Sequence, residues 1–197
     1  MIQQPEKHLI AFAGTTRLAT GSVREVVRAA KAVVDRGDPV PILIFDAVTS
    51  EPMDVDFRGS PEEVLSRLPR QDDVQKEAPR SAGRPKLGVI AREVTLLPRH
   101  WEWLAGQPGG ASVTLRKLVE QARRSSGEAD RVRVARERTY RFMSAMAGDA
   151  AGFEEGARAL FSGNRERFEQ MVESWPADVR EHTRELAKEA FAASEQD

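Results

Sequence analysis

The chain contains no cysteine, and that single absence removes disulfide frameworks, thiolate nucleophiles and cysteine-based zinc sites. It also lacks any uninterrupted apolar run approaching the ~20 residues needed to cross a bilayer, so no membrane partner is expected. The first residues, M-I-Q-Q-P-E-K-H, carry neither the basic segment nor the apolar run of a secretory signal, and a cytoplasmic location is expected. Net charge is nearly absent too. Thirty Lys+Arg against 31 Asp+Glu leave a formal −1, which gives no global attraction to nucleic acid. Internal repeats and low-complexity segments are missing. What is present is 197 residues, 40% hydrophobic and 31% charged, long enough for one large or two small soluble domains with a real core.

Groups that carry chemistry are equally sparse. His8, His100 and His182 are scattered with no ligand spacing. The run Gly14 to Ser22 has too many residues between its glycines for a phosphate loop, and no lysine precedes Ser22. It reads as a hairpin instead. Asp46, Asp54 and Asp56 read as a solvated edge rather than a cation site. No serine lies in a strained elbow motif with a base beside it. No catalytic residue, metal, cofactor or small-molecule substrate is therefore expected, and the chain reads as a non-enzyme.

Charge is unevenly distributed along the chain. From Arg84 to Gly148 there are thirteen Lys/Arg and six Asp/Glu, a local +7, whereas Asp149 to Asp197 holds six against twelve, a local −6. A basic middle beside an acidic tail is how an anion-binding surface can exist within a neutral protein. The acidic end, with Glu181, Glu185 and Glu189 at four-residue spacing, reads as a solvated helix face.

The element order predicts an α+β fold. His8 to Thr20 reads as a hairpin turning at Gly14-Thr15. Ser22 with Glu25 three residues on has capping-box spacing, and Val23, Val26, Val27, Ala30 and Val34 give the following helix a buried face. Val40 to Phe45 is rich in β-branched residues, and Met53 to Phe57 alternates with period two, so both read as strands. Ser60-Pro61-Glu62-Glu63 opens a short helix with proline in its first turn. Residues 1–68 thus read as a hairpin-helix-hairpin-helix domain, a small sheet with one main helix across it. Residues 69–87 read as a linker with a basic arm. Residues 88–197 read as a strand-helix-helix unit followed by helices with apolar stripes at Val132 to Met146, Phe153 to Phe161, Phe168 to Trp175 and Val179 to Phe191. Those methionine and aromatic stripes are core rather than a cofactor box.

The segment Gly88 to Arg124 is the richest in information. Val94-Thr95-Leu96 favours a strand, with Val94 and Leu96 on one side and Glu93 and Thr95 on the other. Pro98 opens a short helix with Trp101, Leu104 and Ala105 on its apolar side. Gly106-Gln107-Pro108-Gly109-Gly110 forces a reversal. Ser112 is the expected cap of a second helix, with Leu115, Leu118, Val119 and Ala122 buried and Arg116, Lys117, Arg123 and Arg124 exposed. A lone strand here has nothing to pair with, which invites a second copy of itself.

On V-T-L-L-P, the short helix and G-G-A-S, these roughly 35 of 197 residues resemble the ribbon-helix-helix family of bacterial and phage DNA-binding proteins. The resemblance implies a homodimer through Val89–Leu97, strand side chains in the major groove of double-stranded DNA, and backbone amides at the second helix start on a phosphate. Those positions are Glu93 and Thr95 on the strand, with Gly110, Ala111 and Ser112 at the helix start. A helix N-terminus rich in small residues suits an anion independently of any family. The chain departs from the family pattern at Glu93, which repels phosphate, and at apolar Leu97. Affinity is therefore expected from phosphates, with modest sequence preference. Upstream, Gly83-Arg84-Pro85-Lys86 resembles the core of an AT-hook, which lays arginine in an A·T minor groove. The expected contacts are Arg84, Lys86, Arg92, Thr95, Gly110, Ala111, Ser112 and Arg116, in a regulator or nucleoid-type binder. The alternative is a protein-interaction or dimerisation module with no DNA affinity.

Taken end to end, the chain resembles the uncharacterised bacterial family "domain of unknown function 2239". The resemblance rests on L-I-F-D, D-V-D-F-R-G-S, the run from G-R-P-K-L-G to W-E-W-L, and Y-R-F-M-S-A-M-A-G-D. It implies no activity. It implies that the α+β layer, the middle unit and the C-terminal helices occur together.

Overall fold

The computed structural model describes residues 8–68 and 92–195. They form two compact units, one made of residues 8–68 with 128–195 and the other of residues 92–127. The expected linker of residues 69–87, with Arg84 and Lys86, lies outside the described residues, as does the start of the expected strand, 88–91.

The first unit begins with β1 (His8–Ala13), β2 (Thr16–Ser22), α1 (Val23–Asp35), β3 (Ile42–Asp46) and α2 (Pro61–Arg67). The three strands form an antiparallel sheet in the order β2-β1-β3. Gly14, at φ 56°, turns the β1–β2 hairpin. Both helices start where the sequence placed them. Ser22 accepts from the Glu25 amide while the Glu25 carboxylate takes the Ser22 amide at 2.9 Å, and Ser60 and Glu63 repeat the arrangement. Each box satisfies amides that the first helical turn leaves open.

The second hairpin does not form. Residues 53–57 add no strand to the sheet; Met53 donates to Ile44 (2.8 Å) and Pro52 makes a single bridge to Phe45. The period-two pattern is nevertheless real in packing, because Met53, Val55 and Phe57 rest on the sheet core while Asp54 and Asp56 stay exposed. Alternation reports a one-sided burial and does not by itself demand a ladder partner. Asp56 is engaged by Arg58 (2.8 Å), whose hydrogen bonds hold its carboxyl well below the usual range. Asp46 caps its own turn through the Val48 and Thr49 amides.

The second unit consists of α3 (Pro98–Ala105) and α4 (Gly110–Ser125); α5 (Gly127–Ala147), α6 (Phe153–Ser162), α7 (Arg165–Val172), α8 (Ala177–Ala187) and a 3₁₀ segment, Lys188–Glu195, then return to the first unit. The expected grouping placed these last helices with the strand-helix-helix unit. Their apolar stripes instead close on the sheet. Leu9, Ala11 and Ile44 face α1 with Val26 and Ala30, whereas Ile10, Phe12 and Phe45 face a core containing Ala135, Phe142, Met143, Leu160, Phe168, Val172 and Leu186. β1 is therefore covered on both faces, which is why Leu9-Ile10-Ala11-Phe12 is apolar without alternation. Phe161 is the exception among the stripe residues. It is 48% exposed, edge-on to Tyr140 at 5.5 Å. Among the described residues no helix is long and apolar enough to cross a membrane.

At the centre of the larger core, Phe142 lies 5.4 Å from Phe12 and 5.4 Å from Phe45. His182 completes the cluster, 4.6 Å from Phe142 and edge-on to it. Each fully buried ring of this kind contributes roughly 2–3 kcal/mol. Burial, with help from the Arg17 and Arg138 charges and against Glu185, pushes the His182 imidazole down to about 4. The unfolded chain thus binds a proton near pH 6.5 that the folded chain refuses. Stability from this group is complete above that pH and falls as pH drops toward 4. Between pH 7.5 and 5, where carboxylates remain ionised, urea unfolding should show a loss of roughly 2 kcal/mol. His182→Phe should flatten that slope, and an equal loss in the variant would remove His182 as its source.

Candidate nucleic-acid interface

The second unit is built from little chain and encloses little. Pro98 sits at the start of α3, and Leu97, extended at φ −65°, ψ 147°, precedes it without a side-chain cap. The reversal closes through Gln107 N–H to the Leu104 carbonyl (3.2 Å) and Gly110 N–H to the Gln107 carbonyl (2.9 Å). Gly109 and Gly110 hold φ of 87° and 72°, left-handed values that cost a side-chain-bearing residue energy. A Cβ on Gly109 would also press Val113 at 3.1 Å.

That geometry moves the helix start. Ser112 was expected to cap α4, but Gly109 is the cap, and no side chain fills the role. The glycine pair lets the helix begin two residues before the serine, which sits inside the first turn. The three amides assigned to a phosphate differ accordingly. Gly110 already spends its N–H on Gln107, while Ala111 and Ser112 stand in the first turn, where helical amides lack intrahelical acceptors.

The expected buried stripe of α4 is not buried. α4 contains no buried residue; Leu118 is 42% and Val119 62% exposed. α3 buries Leu104 alone, and Trp101 and Trp103 are 41% and 53% exposed. Two short helices cannot surround a core by themselves, so an amphipathic face on each requires a further layer. The preceding segment is in the same condition. Residues 92–97 are not hydrogen-bonded into a ladder, and Val94 and Leu97 are exposed. The three-stranded sheet does not absorb them. A strand ladder needs a partner strand, and among the described residues none is supplied. Arg92 and Thr95 are exposed on this segment, as is Glu93.

The opposite side of α4 is basic. Successive residues turn by about 100°, which sets Arg116, Lys117, Glu120, Gln121 and Arg124 across the helix from Leu115, Leu118, Val119 and Ala122. Arg116, Lys117, Glu120, Gln121, Arg124 and Ser125 line an open recess of about 660 Å³. Glu120 is the one carboxylate on this helix, approached by Arg124 at 3.3 Å and Arg123 at 3.8 Å. Arg116 bonds the Ser112 carbonyl at 3.1 Å, and among the described residues no carboxylate pairs with Arg116 or Lys117. Such exposed pairs as Glu120 makes are weak, so the face keeps its positive potential.

Part of the basic middle on α5 is occupied. On α5, Arg138 reaches Glu189 at 2.9 Å, Arg133 reaches Glu137 at 2.9 Å and Asp130 at 3.4 Å, and Arg141 donates to the Thr49 carbonyl. The acidic end is partnered as well, while Glu181, Glu185 and Glu189 stay exposed as a solvated face. Glu169 and Glu173 share Arg184 at 2.6 and 2.5 Å, Arg17 binds Asp178 through its amide (2.7 Å) and Glu181 through its guanidinium (3.7 Å), and Glu185 takes Lys188 at 2.5 Å. A charge count along the sequence cannot see these pairings. It counts Arg133 and Arg138 at full weight although carboxylates stand beside them. Gln121 and Ser125, which the sequence reading passed over, join the face through four-residue spacing from Lys117. Among the described residues no group of three His, Cys, Asp or Glu side chains is placed to hold a metal.

Comparison with curated proteins and with solved structures gives no match. The family resemblance is borne out over nearly the whole chain: residues 8–187 match the family described as "Uncharacterized protein conserved in bacteria (DUF2239)", and the chain belongs to it.

Proposed function

We propose that this protein binds double-stranded DNA as a homodimer assembled through its second unit, as a regulator or nucleoid-type binder. The observation that carries the reading is the two-sided character of α4, with an uncovered apolar stripe on one side and a basic face on the other. A second copy laid on the apolar side would bury Leu118, Val119 and Trp101, and would give residues 92–97 an antiparallel partner. Two basic faces and two helix starts would then be displayed together. Arg92, Thr95, Arg116 and the Ala111 and Ser112 amides are the proposed contacts, with Arg84 and Lys86 as a preceding basic arm. No catalytic group is invoked. The same exposed apolar residues favour a second reading, a dimerisation or protein-interaction module without DNA affinity.

Two measurements test these readings, the first their shared interface and the second the DNA affinity that divides them. In sedimentation analysis the wild-type chain should behave as a dimer, and Leu118→Glu with Val119→Glu should yield a folded monomer. A wild-type monomer at micromolar concentration would contradict the shared interface. In mobility shifts on mixed duplex fragments, log affinity against log salt should fall with a slope steeper than about −3, roughly 0.9 per phosphate neutralised. A dimer with no shift at 50 mM salt would leave only the second reading.

A further inference from the structure

Resting on the DNA-binding reading, we infer that the basic face of α4 itself is the groove element, with Arg92 and Thr95 as flanking contacts. Three observations converge. Arg116, Lys117, Gln121, Arg124 and Ser125 line one open recess on one helix. Each carries hydrogen-bonding capacity directed outward from the chain's own core, because α4 buries no residue. The segment at 92–97 offers a single cation, Arg92, beside an exposed acid at Glu93 and apolar Leu97.

The occupant follows from charge and span. Arg116, Lys117, Arg123 and Arg124 stand against Glu120 alone on this helix, a balance that selects a polyanion. A B-form major groove, ~12 Å wide, admits a helix lengthwise with a phosphate row on each side. Arg116 and Lys117 project ~100° apart around α4, so each reaches toward a different groove wall. Gln121, one turn beyond Lys117, carries an amide that both donates and accepts, the pairing chemistry that suits an adenine edge. Glu120 occupies the centre of the same face and opposes the phosphates. The occupant is duplex DNA rather than a single strand, because only a duplex holds a phosphate row on each side of a helix.

The test uses the full-length chain and a fluorescent duplex, with a single strand of the same sequence as competitor. Arg116→Gln, Lys117→Gln and Arg124→Gln together should weaken duplex binding at least tenfold and make the salt slope shallower by about 0.9 for each lost contact. Glu120→Gln should tighten binding roughly three- to tenfold by removing a repulsive charge. The single strand should compete at least tenfold less well than the duplex. All four positions are exposed or half-exposed on a helix with no buried side chain, and circular dichroism checks that the variants stay helical. Wild-type binding that the triple variant leaves unchanged would overturn this inference alone, and so would equal competition by the single strand. Absence of wild-type binding would overturn the DNA reading with it.

Discussion

The double burial of β1 is the constraint on which the rest of the first unit depends. Side chains along a strand alternate between faces, so Leu9-Ile10-Ala11-Phe12 can be apolar throughout only if both faces are covered. α1 covers one face and the helices beyond residue 128 cover the other. Segments more than a hundred residues apart are thereby committed to one core, with Phe142 and His182 packed against Phe12. Among the described residues, 92–127 contribute no side chain to that core.

α4 lies within that stretch. In the first unit, amphipathic helices find cover, and arginines such as Arg138, Arg141 and Arg184 find oxygens. In the second, the stripe of Leu118 and Val119 finds no cover and the cations Arg116 and Lys117 find no carboxylate. Burial of apolar area is the main favourable term in folding, so the proposed dimer would draw its free energy from this stripe. On the same proposal the basic face on the far side of α4 would meet the DNA. The physical contrast is between a unit whose sheet is buried on both faces and a helix, α4, that buries no residue.

Legibility in the sequence followed the range of the interaction. Local chemistry was readable: the Ser22–Glu25 and Ser60–Glu63 boxes, the Gly14 turn, the helical stripes from Val132 to Phe191 and the α3–α4 pair all stand where spacing placed them. Properties that need a partner were not. The alternation of Met53 to Phe57 signalled one-sided burial but could not say whether a ladder existed. Ser112 looked like a cap because its residue type fits, yet two left-handed glycines supplied an earlier start. The stripe of α4 predicted an apolar face and could not predict that the chain would leave it uncovered. Charge was legible as composition and illegible as surface, since the oxygens that occupy the α5 arginines are drawn partly from distant segments. His182 had no signal at all, because its neighbours Phe12 and Phe142 are far away in sequence.

Amide hydrogen exchange of the full chain, with and without duplex DNA, tests the division of labour most directly. The expected result is fast exchange in the free first turns of α3 and α4 at low protein concentration, with DNA-dependent protection concentrated between residues 92 and 125 and little change in β1 or α5 to α8. Protection appearing instead across α5 to α8, with α4 unaltered, would contradict it.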